Sequence, residues 1–268
     1  VEVRAINTVV ERDIQEIISD SQIFDAFRGK LILVTGATGL IGSMVARSLI
    51  AANDAYHLSL RVICHVRNIE KAHHMFSDIV DSDILTFVDT PLESLDIACD
   101  YIMHGAAPTK SKYFVEHPVD TIRTSIHGTE RMLELGKEQK IKGMVYLSSM
   151  EQYGVPYESG QVMTEDRIGY LDHLNVRSSY SESKRLCECY CKSYAVEFGV
   201  PVKIARLAQT FGAGVPLDDN RVFMQFTQHA LDGRDIILHT KGDSMSNFCY
   251  ITDAVRAILI LLSQGEVG

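Results

Sequence analysis

The sequence predicts an α/β protein, a doubly wound parallel sheet with helices on both faces and a small C-terminal lobe. Three observations predict it. An apolar run of strand length, Leu31 to Val34, leads into glycines at 36, 39 and 42 and then directly into a helical pattern of Ile41, Val45 and Leu49. Further strand-length runs alternate with helical patterns along most of the chain, as a parallel sheet with crossover helices requires. Finally, the glycine turn, Ala106, Ser149 and Gln209 all fall at the carboxyl ends of expected strands, the rim where open sheets of this kind hold ligands.

The elements follow in order. Residues 1–28 read as a helical extension ahead of the main fold, with Val9, Ile14, Ile17 and Ile18 on one apolar face. Residues 29–211 read as the sheet domain. After the first strand comes a helix over Gly42 to Ala52, then a strand over Arg61 to Val66 and a helical pattern over Ile69 to Phe76. Strands are expected at Ile84 to Val88 and Tyr101 to Met103, a long amphipathic helix at Pro118 to Gln139, and a strand at Gly143 to Leu147. A loop reaches Ser179, followed by a helix over Tyr180 to Phe198 and a strand over Val202 to Leu207. Residues 212–268 supply the lobe: a helix over Asn220 to Leu231, a strand over Asp235 to Leu238, and a final helix, Ile251 to Leu262, that returns to the first domain.

Composition narrows the function classes. The 268 residues are 46% hydrophobic, enough for one large α/β core. A net charge of -9 argues against a nucleic-acid partner and points to a soluble protein. The longest apolar run, Ala257 to Leu262, is far short of a membrane span, so no membrane partner is expected. Glu2, Arg4, Glu11, Arg12 and Asp13 interrupt any signal-peptide core. Cys64, Cys99, Cys187, Cys189, Cys191 and Cys249 form no C-x-x-C pair. Cys187 and Cys191 share a helix face while Cys189 points away, which suits free thiols in a reducing cytoplasm. Adjacent His73 and His74 cannot share a helix face, and no metal site is expected.

The glycine turn carries the cofactor reading. Gly36 supplies a backbone conformation closed to other residues. Gly39 removes a Cβ where backbone must approach a ligand, and Gly42 lets helix and strand pack closely. The N–H groups of the turn and helix start, Thr38, Leu40 and Ile41 among them, then face a pyrophosphate along the helix dipole. The alternative is a glycine-rich turn without a ligand; the strand before and helix after favour a dinucleotide. The next strand ends at Arg67 with no carboxylate for a ribose. An arginine there pairs with a 2′-phosphate or stacks on adenine, so the cofactor is NAD(H) or NADP(H), with Arg67 tilting towards NADP. Asp89 and Thr90 suit the adenine edge, and Ala106 and Ala107 let a cofactor lie against the backbone.

Tyr180 and Lys184 stand four apart on one helix face. An ammonium beside a phenol favours the phenolate, lowering its pKa. Such a tyrosine removes a hydroxyl proton while the carbon is oxidised, and Ser149 could hydrogen-bond the same substrate oxygen. The pair is common by chance on exposed helices; the glycine turn and the serine-bearing strand end upstream raise the catalytic reading.

The chain resembles extended short-chain dehydrogenase/reductases of the NAD-dependent epimerase/dehydratase family, which act on nucleotide sugars on a Rossmann fold. The matching stretches are Thr35 to Gly42, His104 to Ala107, Leu147 to Gly154, Tyr180 to Lys184 and Arg206 to Gly212. The resemblance implies that the glycine turn holds the cofactor pyrophosphate, that Lys184 holds the nicotinamide ribose, and that Tyr180 starts oxidation at sugar C4. Dehydratases of the family carry Asp-Glu after the active-site serine or threonine. Here Met150 and Glu151 follow Ser149, and a thioether cannot donate the proton that water elimination needs. Glu151 is compatible with a 4-epimerase, the leading expectation, or with a UDP-glucuronate decarboxylase. A structural loop carboxylate is its other reading. An NADPH-dependent keto-sugar reductase and a non-catalytic dinucleotide-binding protein are the remaining alternatives. Gln209 replaces a common substrate-side asparagine, and Ser246 stands where relatives often place an arginine against the diphosphate. Arg177 and Arg221 are candidate replacements, or else solvated charges. Relatives continue beyond the position of Gly268 into more of the substrate lobe, and many form homodimers through the tyrosine-bearing helix and the long helix before it.

Overall fold

The computed structural model describes residues 7–79, 83–158, 160, 162–217, 219–238, 241–242 and 245–267. Six strands pair in parallel: β1 (Leu31–Thr35), β2 (Arg61–His65), β3 (Leu85–Val88), β4 (Tyr101–His104), β5 (Gly143–Ser149) and β6 (Val202–Leu207). Their order across the sheet is β3-β2-β1-β4-β5-β6. The chain winds outward from β1 to one edge, then crosses back and winds to the other, so β1 and β4 flank the point where the winding reverses. Thr35 stands level with His65 on one side and His104 on the other. The central strands are nearly continuous apolar runs because both faces are covered.

The helices are α1 (Thr8–Ile18), α2 (Leu40–Tyr56), α3 (Ile69–Met75), α4 (Ser111–Glu116), α5 (Pro118–Gln139), α6 (Ser179–Phe198), α7 (Val222–Leu231) and α8 (Ile251–Gln264). Local chemistry explains several ends. Pro118 opens α5, where its missing N–H costs nothing, and Gly199 closes α6 in the left-handed region at φ 69°. One face of the sheet is packed by α5 and α6 through Met132, Leu133, Leu135, Cys187 and Cys191. The other is packed by α2 and α8 through Val45, Leu49, Ile258 and Leu262. Cys187 and Cys191 are buried and Cys189 is exposed, as the helical spacing predicts.

The leading helical segment packs on the main fold. Ile14, Ile17 and Ile18 join the α2–α8 core, while Val9 is 40% exposed. Asp13 of α1 is fully buried and accepts a hydrogen bond from the Tyr250 hydroxyl at 2.8 Å. A buried carboxylate needs such donors, so α1 is tied to a residue 237 positions away.

The lobe also differs from expectation. Residues 235–238 form no strand; Ile236, Ile237 and Leu238 are exposed. Their apolar, β-branched composition favours a strand only where a partner is present. The strands that do form are β7 (Gln209–Phe211) and β8 (Phe248–Tyr250), paired in parallel. Phe211, Phe223 and Phe248 pack edge-on and tilted around them at 5.9–6.1 Å. Among the described residues, no helix is long and apolar enough to cross a membrane.

Candidate active site

The bend after β1 is shaped by close backbone approach. Gly36 has φ 72°, and a Cβ there would lie 2.8 Å from the Gly105 carbonyl oxygen. A Cβ on Gly42 would lie 2.3 Å from the Gly36 carbonyl oxygen. Gly39 sits 3.2 Å from that same oxygen by the same measure, so its bare α-carbon serves the bend itself as well as any ligand. The Gly39 N–H donates to Gly36 O at 2.9 Å. Gly39 then caps α2 with no side chain. The first amides of α2, at Leu40, Ile41 and Gly42, therefore lack intrahelical acceptors, and the 17-residue helix adds its positive dipole end. Thr38 is half-buried at the bend.

A buried polar chain holds the ends of β1 and β4 together. The Thr35 hydroxyl accepts from Gly105 N at 3.1 Å and Ala106 N at 3.2 Å. Its own proton therefore goes to His104 Nδ1, 2.8 Å away. That assigns the ring proton to Nε2, which donates to Thr129 Oγ1 at 3.3 Å, and Thr129 donates to Ser125 O at 2.7 Å. Burial pushes His104 down to about 3, with the Lys184 charge acting in the same sense. Sequence reasoning missed Thr35 and His104, because their role exists only once the two strands are side by side.

This chain makes stability depend on pH. The unfolded His104 protonates near its ordinary value of 6.5 while the folded one stays neutral to about 3. The unfolded state binds the extra proton in that window, so stability falls as pH drops below 6.5. Urea unfolding at pH 7.5 and pH 5.0 should show a loss of about 2 kcal/mol from this residue. His65, also lowered by burial, adds in the same direction, so the His104→Gln variant isolates the term through its shallower slope. An equal slope in the variant would show that His104 is not the titrating group.

The other cofactor-side residues line the same rim. Arg67, Asp89 and Thr90 are exposed at the ends of β2 and β3, and Ala106 and Ala107 are half-buried after β4. His65 Nε2 pairs with Thr90 O at 2.9 Å, joining the β2 and β3 ends.

The reactive candidates meet where β5 ends against α6. Tyr180 is 8% exposed, and Ser149, at the end of β5, is near enough to its hydroxyl to favour the phenolate. Ser149 Oγ also accepts from Glu151 N at 3.2 Å, capping the 3-10 turn Met150–Tyr153. Glu151 Oε2 accepts from Arg177 Nη2 at 2.8 Å and from Ser181 Oγ at 3.4 Å. One expectation is corrected. Lys184 does not make Tyr180 acidic in this arrangement: its ammonium donates to Leu147 O at 2.7 Å and lies 5.6 Å from the Tyr180 ring centroid. Burial wins, pushing Tyr180 up to about 12 against the lowering by Ser149, while Lys184 falls to about 8.

The substrate-side arginines are both already paired. Arg177 holds Glu151 as described, and Arg221 grips Asp219 through Nε and Nη2 at 2.8–3.0 Å and donates to Thr210 O at 2.9 Å. Neither is a solvated charge, and a diphosphate would compete with a carboxylate for each. Gln209 lies in β7 opposite Phe248, and Ser246 is exposed just before β8.

A model of the NAD dependent epimerase/dehydratase family matches residues 32–268. The chain belongs to that family. It is 31% identical over 241 residues to UDP-glucuronic acid decarboxylase 6 of Arabidopsis thaliana, covering 88% of this chain and 67% of the relative. It is 30% identical over 240 residues to UDP-glucuronic acid decarboxylase 1 of Danio rerio, covering 88% of this chain and 54% of the relative. The chain thus spans from about half to two thirds of these relatives' length. The fold matches UDP-glucuronic acid 4-epimerase from Bacillus cereus, solved with UDP-glucuronic acid and NAD, at a TM-score of 0.73 and 22% identity over 89% of this chain and 75% of that one.

In this epimerase/dehydratase chain the bend after β1 leads straight into the amino end of α2. Gly36 and Gly42 let the bend close on its own backbone, and the first α2 amides, with no side-chain cap, are donors of the kind a diphosphate accepts from. Among the described residues, no group of three His, Cys, Asp or Glu is arranged to hold a metal ion.

Proposed function

We propose that this chain is a UDP-glucuronate decarboxylase that works through transient oxidation at sugar C4. The observation that carries C4 oxidation is Tyr180 beside Ser149, on the rim that also bears the glycine cradle. The likeness to the two decarboxylases supports the outcome, and Met150 beside Glu151 disfavours water elimination. Decarboxylation here takes precedence over 4-epimerisation, the leading expectation from sequence, because the fold match to an epimerase bears on fold alone.

The amides of the bend from Gly36 to Gly42 would hold a dinucleotide, whose nicotinamide would supply the acceptor for the C4 hydride and the donor that restores it. Tyr180 takes the C4 hydroxyl proton, and Ser149 orients that oxygen. The resulting C4 ketone lets the bond from C5 to the carboxylate break: CO₂ leaves, and the bonding pair moves into the enolate. A proton taken up from solvent adds to C5 where CO₂ left, and Tyr180 gives its proton back to the C4 oxygen. Arg67, at the end of β2, is the support for NADP over NAD. A homodimer through α5 and α6, and a cytoplasmic site, belong to the same reading.

The test uses UDP-glucuronate labelled at the carboxyl carbon, with NAD and NADP in separate arms. Release of labelled CO₂ with a pentose product is expected. An unchanged mass with altered chromatographic retention would replace this reading with epimerisation. No conversion in either arm would overturn it.

A further inference from the structure

Three flat groups, the reactive phenol among them, pack in series. The Phe114 ring of α4, 1% exposed, stacks on Tyr180 with centroids 4.4 Å apart and planes 5° from parallel. On Phe114 lies the Arg177 guanidinium, its carbon 4.8 Å from the ring centroid. The same guanidinium donates to Glu151 at 2.8 Å and reaches the Ser111 hydroxyl at 3.4 Å. Ser179 Oγ donates to Phe114 O at 3.3 Å, fastening α4 to the start of α6. The stack therefore joins α4, the turn after β5 and the helix that carries Tyr180.

A guanidinium is planar and can stack on a ring while its edge grips a carboxylate. Arg177 does both. Tyr180 packs on Phe114, Phe114 packs against the guanidinium, and the guanidinium bonds Glu151, so the three contacts run in one series. We propose that Arg177 and Phe114 are positioning residues that set Tyr180 and Glu151 in one fixed relation for the C4 chemistry. This rests on the catalytic reading of Tyr180. The electrostatics agree with the geometry: Glu151 raises Tyr180 and Arg177 lowers it, so the pair offsets itself at the phenol. The remaining polar neighbours are Ser149 and Tyr146 of β5 and Lys184 of α6.

The test has one readout that needs no turnover. Protein grown with 3-fluorotyrosine gives a fluorine resonance for Tyr180, identified by its absence in Tyr180→Phe. Arg177→Gln and the charge-preserving Arg177→Lys are expected to shift or broaden that resonance, although Arg177 does not touch Tyr180 directly. Both should lower kcat by about tenfold or more with KM little changed, the effect of small misplacement in a reactive site. In a Glu151→Gln background, Arg177→Lys should cost less than in the unaltered protein, because the part of its effect that runs through the Glu151 carboxylate is already lost. A Tyr180 resonance unmoved in both folded arginine variants would overturn the proposal, as would losses that simply multiply in the double variant. Should the unaltered protein turn over no UDP-sugar, the activity reading fails, and the resonance still decides the stack.

Discussion

Replacing Tyr180 with phenylalanine should lower turnover by about 10³-fold, the scale of removing a general base, while dinucleotide binding is retained. The variant keeps the ring that stacks on Phe114 at 4.4 Å, so packing is preserved and only the hydroxyl is lost. Product formation followed by mass spectrometry, beside calorimetric titration with the cofactor, separates the two effects. Normal turnover would remove Tyr180 from the chemistry. The pH dependence of the unaltered protein has a definite sign. Burial holds Tyr180 protonated, pushed up to about 12, and proton removal needs the phenolate. The rate should therefore climb with pH through the neutral range, up to tenfold per unit, until another group or stability limits it. A rate that falls over that range would contradict a phenolate base.

The second large effect is at the glycine bend. Gly42→Ala places a Cβ 2.3 Å from the Gly36 carbonyl oxygen. The Cβ meets backbone and has no torsion to turn it aside, so relief requires moving the bend or the start of α2. Overpacking of this kind costs about 3 kcal/mol, and the displaced amides should weaken dinucleotide binding by about 10²-fold. Thermal unfolding and calorimetry measure the two separately. Unchanged affinity in a folded Gly42→Ala protein would show that the bend does not cradle the diphosphate.

Elements with their own local signals were legible. The long helix Pro118–Gln139 and the strand Val202–Leu207 have the ends that the sequence predicts, because a proline start, a periodic apolar face and a bounded apolar run act within a few residues. The lobe was less legible. Residues 235–238 have strand composition, yet a strand requires a partner, and the pairing is made by Gln209–Phe211 and Phe248–Tyr250 instead.

By itself, the sequence determined the doubly wound sheet and the glycine bend, and it placed that bend, Ala106, Ser149 and Gln209 at strand ends on one rim. Strand–helix alternation and the steric demands on glycine are local, and parallel strands necessarily bring their carboxyl ends together. Only the tertiary structure decided how these groups act on one another. It placed Lys184 on Leu147 O, Arg177 on Glu151 and Phe114 against Tyr180, and it buried Asp13 under Tyr250. Those contacts depend on burial and on residues distant in the chain, and charge and stacking energies take their sign from that surrounding.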